Sequence, residues 1–356
     1  MIKIQEHLDE NPVSAAATLE ILVDDHWKFL NPSTITKPVR LKTTSLIARC
    51  EKAKNQCRKP AFCKKYEITK ITSLRLWFFF DAILKNNSSL LKKIVLSDPN
   101  TLISIIYPQL QKLLPNRLLY VKNGAVDKQK KLGRFLSEEV FDYGRFRGSQ
   151  YCPQLFRQKM NGTLHTCPYC NLNPITITQL PRNATTIVKQ KAYLDVDHFY
   201  PKVLFPYFSV SFYNLVPSCH DCNSSEKGPK LFLTTTHVHP YVDSFDKIYE
   251  FGLNSVDLAK GNVVIECRNR KNARVDKTAD DLNLVDRYNG DTQIVSEILK
   301  YYKANIHTLN KFNLIHSQFF FSHFPLKASH ILRRQRAKLL RDIFIQIGGA
   351  AHFLLK

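Results

Sequence analysis

The chain has 356 residues and a net charge of +22, from 52 Lys and Arg against 30 Asp and Glu. An enzyme of small neutral substrates has no need of such an excess; it points to a polyanionic partner, nucleic acid first. No apolar leader follows Met1, no basic amphipathic helix has a clean aromatic face, and the densest apolar run, Leu74 to Leu84, is too short to cross a bilayer and carries Arg75 and Asp81. The reading is therefore a cytoplasmic protein with no membrane role, whose nine cysteines serve as metal ligands and free thiols rather than as disulfides.

The first 31 residues are acidic, and Asn11-Pro12 is a helix start, with Asn as cap and Pro in the first turn. Leu19, Leu22, Val23, His26, Trp27 and Leu30 recur at helical spacing, which predicts an amphipathic helix from Asn11 to Leu30. From Lys37 to Arg75 twelve Lys and Arg face only Glu51 and Glu67. That density reads as contact with a phosphate backbone rather than a merely solvated face. Cys50, Cys57 and Cys63 lie in the same stretch, lack a fourth partner, and read as ordinary thiols. Ser73 is read as the cap of a helix through Leu84, with Trp77, Phe78, Phe79 and Phe80 in the core. Ser88 or Ser89 starts a second helix, and Asp98-Pro99 a third that Pro108 kinks. Lys128, Lys130, Lys131, Arg134, Arg145 and Arg147 form a second candidate for phosphate contact.

The centre of the chain carries the chemistry. It runs His165-Thr-Cys167-Pro-Tyr-Cys170, then Leu194-Asp195-Val-Asp197-His198-Phe-Tyr-Pro201-Lys202, then Asn214-Leu215, and Cys219-His-Asp-Cys222-Asn223-Ser-Ser-Glu-Lys227-Gly228. Each Cys-x-x-Cys pair can close half of a tetrahedral thiolate site, so Cys167, Cys170, Cys219 and Cys222 are expected to hold one Zn²⁺. Four thiolates leave no open position, which makes that zinc structural. Between the pairs, Asp197-His198 followed by an aromatic-Pro turn is a suitable setting for a metal ligand beside a general base.

Over these roughly 75 residues the sequence resembles the HNH endonucleases, the ββα-metal or His-Me finger superfamily, in the variety with a four-cysteine zinc site. The resemblance rests on Asp197-His198, Asn214-Leu215 and the segment from Cys219 to Gly228. The third position, often His in that family, is Asn223 here. It implies that His198 is the general base, that Asn214 holds the loop and orients His198, and that Asp197 and Asn223 offer oxygens to a catalytic Mg²⁺ or Mn²⁺. It leaves Asp195 as a supporting or surface residue. His239 is a candidate further ligand, ahead of His237; His220 reads as exposed or phosphate-facing, and Lys202 and Lys227 as partners for phosphates.

Beyond the centre, Lys260-Gly261-Asn262 reads as a turn before a strand at Val263 to Ile265, and Asp291 or Thr292 starts a helix toward Lys311. Arg333, Arg334, Arg336, Lys338 and Arg341 form a basic run on the last helix. No phosphate-binding Gly-rich loop occurs. The expected fold is α+β, mainly α: a central zinc-bound ββα-metal (HNH) core flanked by N- and C-terminal helical regions. The expected divisions are a basic helical region over 1–150, a zinc-bound nuclease domain with a β extension over 151–275, and a helical region over 276–356. The expected activity is metal-dependent hydrolysis of DNA. By analogy, stand-alone proteins of this kind resemble effector nucleases of bacterial anti-phage or mobile-element systems that work with a separate ATPase. A zinc-stabilised DNA-binding module without catalysis and an RNA-cleaving toxin are the competing readings.

Overall fold

A computed structural model describes residues 3–35, 37–124, 127–157, 160, 164–182, 186–270, 273–309 and 327–347. Helices make up most of the described residues before Tyr120. After a short helix at Ile4–Leu8, the long helix Pro12–Leu30 begins where the Asn11 side chain accepts from the Val13 and Ser14 backbone N–H groups, at 2.9 and 3.4 Å. Leu19, Leu22, His26 and Leu30 form its buried stripe, as their spacing predicts. Helices Leu46–Gln56 and Pro60–Tyr66 follow, then Lys70–Leu96. The cap of that last helix is Thr69, not Ser73: Thr69 accepts from the Thr72 N–H, while the buried Ser73 hydroxyl donates to the Cys57 carbonyl at 2.8 Å. Its helical path breaks at Lys85 to Ser88, where Asn86, Asn87 and Ser88 take positive φ, so a second helical piece does begin near Ser88–Ser89. Phe79 and Phe80 are fully buried, but Phe78 is half exposed, because four consecutive aromatic residues cannot share one helix face. Asp98 caps the next helix, and a π turn at Leu102–Ile106 leads into the Pro108-bearing segment Tyr107–Leu113.

Four antiparallel pairs of strands complete the described fold. β1 (Tyr120–Val121) pairs β2 (Lys128–Gln129), and β3 (Thr176–Arg182) pairs β4 (Thr186–Tyr193). β5 (Asp195–His198) pairs β6 (Leu215–Ser218), and β7 (Tyr249–Leu253) pairs β8 (Ile265–Asn269). The expectation of a mainly helical α+β protein holds, although the β3–β4 hairpin was not foreseen. The strand expected at Val263 begins at Ile265. The helix expected toward Lys311 runs from Gln293 to Leu309; Lys311 lies outside the described residues.

One continuous set of buried side chains runs from Ile4 to Ile343, through all three regions expected from the sequence. Polar contacts cross between them too. The Ile4 N–H donates to Pro240 O at 2.7 Å, and the His7 ring meets the Ser329 carbonyl at 3.0 Å. The Ser211 hydroxyl donates to Ile94 O, and the Tyr200 hydroxyl to Pro99 O. The β5–β6 loop is thus bolted to the N-terminal helices. Helix Ala337–Gln346 lies along β7, where Asp342 and Gln346 accept the Phe251 and Leu253 N–H groups. Its Lys338 and Arg341 are buried in ion pairs with Asp246 and Asp342, while Arg333, Arg334 and Arg336 precede the helix, the first two exposed and Arg336 paired with Asp291, so the basic run expected on the last helix is split rather than one charged helical face. Among the described residues no helix is long and apolar enough to cross a membrane.

Candidate metal centre and hydrolytic site

Two turns bring the four central cysteines together. The first, Cys167-Pro-Tyr-Cys170, closes when the Asn171 N–H donates to Cys167 O at 2.7 Å, with Asn171 itself in the left-handed region that Asn tolerates (φ +53°). The second places Cys219 just after β6 and Cys222 in a π-helical turn, Asp221–Lys227. That turn stops at Gly228, whose φ of +48° suits only glycine well. All four sulfurs are buried and lie within 4.8 Å of one another, with Cys170 and Cys219 at 3.9 Å. A disulfide requires about 2.05 Å. The edge of a tetrahedron of sulfurs about 2.3 Å from Zn²⁺ is about 3.8 Å. The donor set therefore fits a zinc ion, and these cysteines could hold one as their spacing predicts. Cys50 and Cys57 are buried free thiols outside it, as expected.

Donors surround this sulfur cluster. The Leu172 N–H points at Cys170 Sγ (3.4 Å) and the Cys222 N–H at Cys219 Sγ (3.5 Å). Arg287 brings Nη1 to 3.3 Å from Cys222 Sγ, and the Tyr288 hydroxyl donates to Cys170 O at 2.6 Å. The Asn171 amide donates to Ile331 O and Arg334 O, and its carbonyl accepts the Lys338 N–H. The C-terminal helices are thereby fastened to the metal centre, a relationship with no signal in local sequence.

β5, β6 and the π turn form a strand–strand–helix unit around the Asp-His pair. Asn214 is fully buried in the connection. Its side-chain oxygen accepts the Tyr200 N–H at 2.7 Å, and its amide donates to Tyr200 O and Phe208 O at 3.1 and 3.0 Å. It staples the loop whose next carbonyl, Ser209 O, lies 2.9 Å from His198 Nε2. A carbonyl only accepts, so Nε2 carries the proton and Nδ1 keeps its lone pair. Burial lowers the His198 pKa to about 4, against a smaller raising effect from Ser209 O and Asp197, so the ring is neutral at neutral pH. The Tyr143 ring meets the imidazole edge-on at 4.5 Å, and its hydroxyl donates to Val196 O. Lys202 Nζ sits 5.6 Å from the centre of that same Tyr143 ring.

The carboxylates divide differently from the pattern implied by resemblance. Asp197 is buried, and both its oxygens are engaged: Oδ2 accepts from the Tyr169 hydroxyl at 2.7 Å and Oδ1 from Lys227 Nζ at 2.7 Å. Lys227, expected to face phosphates, instead lies buried against Asp197 and also donates to His198 O at 2.7 Å. The Asn223 amide donates to Asp195, not Asp197, at 3.1 Å, and His220 Nδ1 lies 3.1 Å from the same Asp195 Oδ2. His239 is fully buried against Phe199, with its Nδ1 accepting the Tyr241 N–H at 3.3 Å and its Nε2 also buried. His237 stacks on Phe232 and pairs with Asp281 at 2.9 Å. Tyr169, Tyr143 and Arg287 went unremarked in the sequence. Tyr169 sits inside the first Cys-x-x-Cys turn and could have been noticed there; the other two are distant in the chain.

The class that the fold and site define is a mainly helical α+β protein with a buried four-cysteine centre able to hold a metal ion. No protein-family model matches the chain, and no solved structure matches it. A stretch of 51 residues is 49% identical to "Protein ea31" of Escherichia phage lambda, covering 14% of this chain and 17% of that protein. So short a span leaves the family of the whole chain undefined.

Proposed function

We propose that this protein is an HNH-type endonuclease that hydrolyses DNA phosphodiester bonds with a divalent cation. The observation that carries the reading is the setting of His198: a neutral imidazole, fixed through Nε2 by the Ser209 carbonyl in a loop stapled by Asn214, with Nδ1 left to accept a proton. In the proposed reaction His198 Nδ1 takes a proton from a water as its oxygen bonds to phosphorus. The bond to the 3′ oxygen breaks, and that oxygen is protonated by solvent, leaving a 5′ phosphate and a 3′ hydroxyl. A divalent cation, when bound, supplies positive charge that offsets the negative charge growing on the phosphate. Exposed Lys52, Arg58, Lys59 and Lys64 supply charge for the DNA backbone. The short likeness to a phage lambda protein supports a setting in phage or mobile-element biology.

The test is incubation of the zinc-loaded protein with supercoiled plasmid, with and without Mg²⁺ or Mn²⁺, beside His198→Ala. Cleavage that needs the cation and His198 is expected. Cleavage surviving both His198→Ala and chelation would refute the site. DNA binding without cleavage would favour the binding module, and RNA products ending in a 2′,3′-cyclic phosphate would favour the RNA-cleaving toxin.

A further inference from the structure

The structure assigns a divalent-cation site to Asp195, His220 and Asn223 rather than to Asp197. The inference rests on the hydrolase reading for its purpose, but not for its geometry. Asp197 is unsuited to bind a cation. Its oxygens are taken by the Tyr169 phenol and the Lys227 ammonium, its side chain is 4% exposed, and Lys227 already places a positive charge on it. Asp195 lies two residues earlier on β5, is one-third exposed, and among the described residues is paired with His220 rather than with a lysine.

His220 and Asn223 stand three residues apart at the start of the π turn, so their side chains share a face. Both reach the same oxygen, Asp195 Oδ2, with His220 Nδ1 and Asn223 Nδ2 each 3.1 Å away. Ligands in adjacent positions of an octahedral ion, at about 2.1 Å from the metal, stand about 3.0 Å apart. The two spacings from Asp195 Oδ2 therefore already match edges of such an ion's coordination shell. Turning the Asn223 amide over presents its oxygen in place of its nitrogen, and a neutral His220 offers a lone pair at Nδ1. Asp195 and His220 also line an open cleft of about 450 Å³ with Asn173, Tyr193 and Asp221, which leaves room for water and an anionic substrate group.

One imidazole among oxygen donors suits Mn²⁺ or a similar transition ion better than Mg²⁺, which favours oxygen ligands alone. The zinc turn would thus serve both metals, since Cys219 and Cys222 bracket His220 and Asn223 is the next residue.

The test is an electron paramagnetic resonance titration of the zinc-loaded full chain with Mn²⁺, with Mg²⁺ as competitor. It reads binding without any cleavage, so failure of the nuclease reading and failure of this site are told apart. Asp195→Asn is expected to weaken Mn²⁺ binding at least tenfold. His220→Ala is expected to weaken it severalfold and to narrow the preference for Mn²⁺ over Mg²⁺. Because Asp197→Asn alone would strand a buried lysine, the comparison is the double variant Asp197→Asn, Lys227→Gln, which should bind Mn²⁺ as the wild type does. Loss of Mn²⁺ binding in the folded double variant with retention in Asp195→Asn would overturn the assignment, as would the absence of Mn²⁺ binding in the wild type.

Discussion

Lys227 and Asp197 form a buried ion pair, Nζ 2.7 Å from Oδ1, with the two side chains 2% and 4% exposed. The ammonium also reaches the His198 carbonyl and lies over the Phe232 ring. It joins the end of the π turn to β5, so the pair fixes the relative position of the helix and the strand that carries His198.

Removing one member leaves the other charged and buried. Lys227→Ala is expected to cost about 3–5 kcal/mol of stability. The double variant Asp197→Asn, Lys227→Gln should recover much of that loss. Denaturant unfolding of the three proteins measures both, and a Lys227→Ala loss under about 1 kcal/mol would mean that water reaches the pair.

His198→Ala should leave zinc content and fold intact while reducing cleavage by about 10²–10⁴-fold, the usual contribution of a general base. Asn214→Ala should reduce cleavage through the loop, with a loss of stability as well, because it removes the side-chain partner of the Tyr200 N–H and of the Tyr200 and Phe208 carbonyls, of which Phe208 O keeps the Ser211 N–H. Comparing melting curves with cleavage rates separates the two effects.

For the metal centre, Cys222→Ser should cost folding itself, since forming such a site contributes folding free energy. Arg287→Ala should fold yet release zinc to a chelator faster, with a loss of affinity of about 10–100-fold, because its guanidinium faces Cys222 Sγ. Arg287→Lys should restore part of it. Metal analysis that finds no zinc in folded protein would remove the basis for both.

Acid should destabilise the protein before its carboxylates titrate. Burial lowers the pKa of His26 from 6.5 to about 4, only partly opposed by its hydrogen bond to Val210 O. The unfolded chain takes up a proton near pH 6.5 that the folded chain refuses until about pH 4. Stability is therefore full above pH 6.5 and falls as pH drops from 6.5 to 4, by on the order of 3 kcal/mol for this residue. His7, lowered to about 4, adds to the same slope. His26→Gln should flatten the dependence of melting temperature on pH in that window.

Neutralising Lys52, Arg58, Lys59 and Lys64 together should weaken duplex binding about equally across sequences. If each contacts a phosphate, the slope of log affinity against log salt should fall by about 3.6. An unchanged slope would shift the binding face to the exposed Lys128 and Arg134.

The sequence alone determined the four-cysteine centre, the capped helix from Asn11 to Leu30 and the mainly helical class. Each follows from short-range spacing: a Cys-x-x-Cys turn brings its own sulfurs together, and a cap with a periodic stripe specifies its own helix. Only the tertiary structure decided which carboxylate is locked and which is open. Asp195 and Asp197 are two residues apart and chemically identical, and their difference comes from Tyr169 and Lys227, which are distant in the chain and meet at the Asp197 carboxylate on folding. The same holds for charge. Lys338 and Arg341 read as a basic surface run, yet packing against β7 buries them with Asp246 and Asp342. Periodicity registers that a residue is charged; whether that charge faces water, a partner or a buried counter-ion depends on elements distant in the chain.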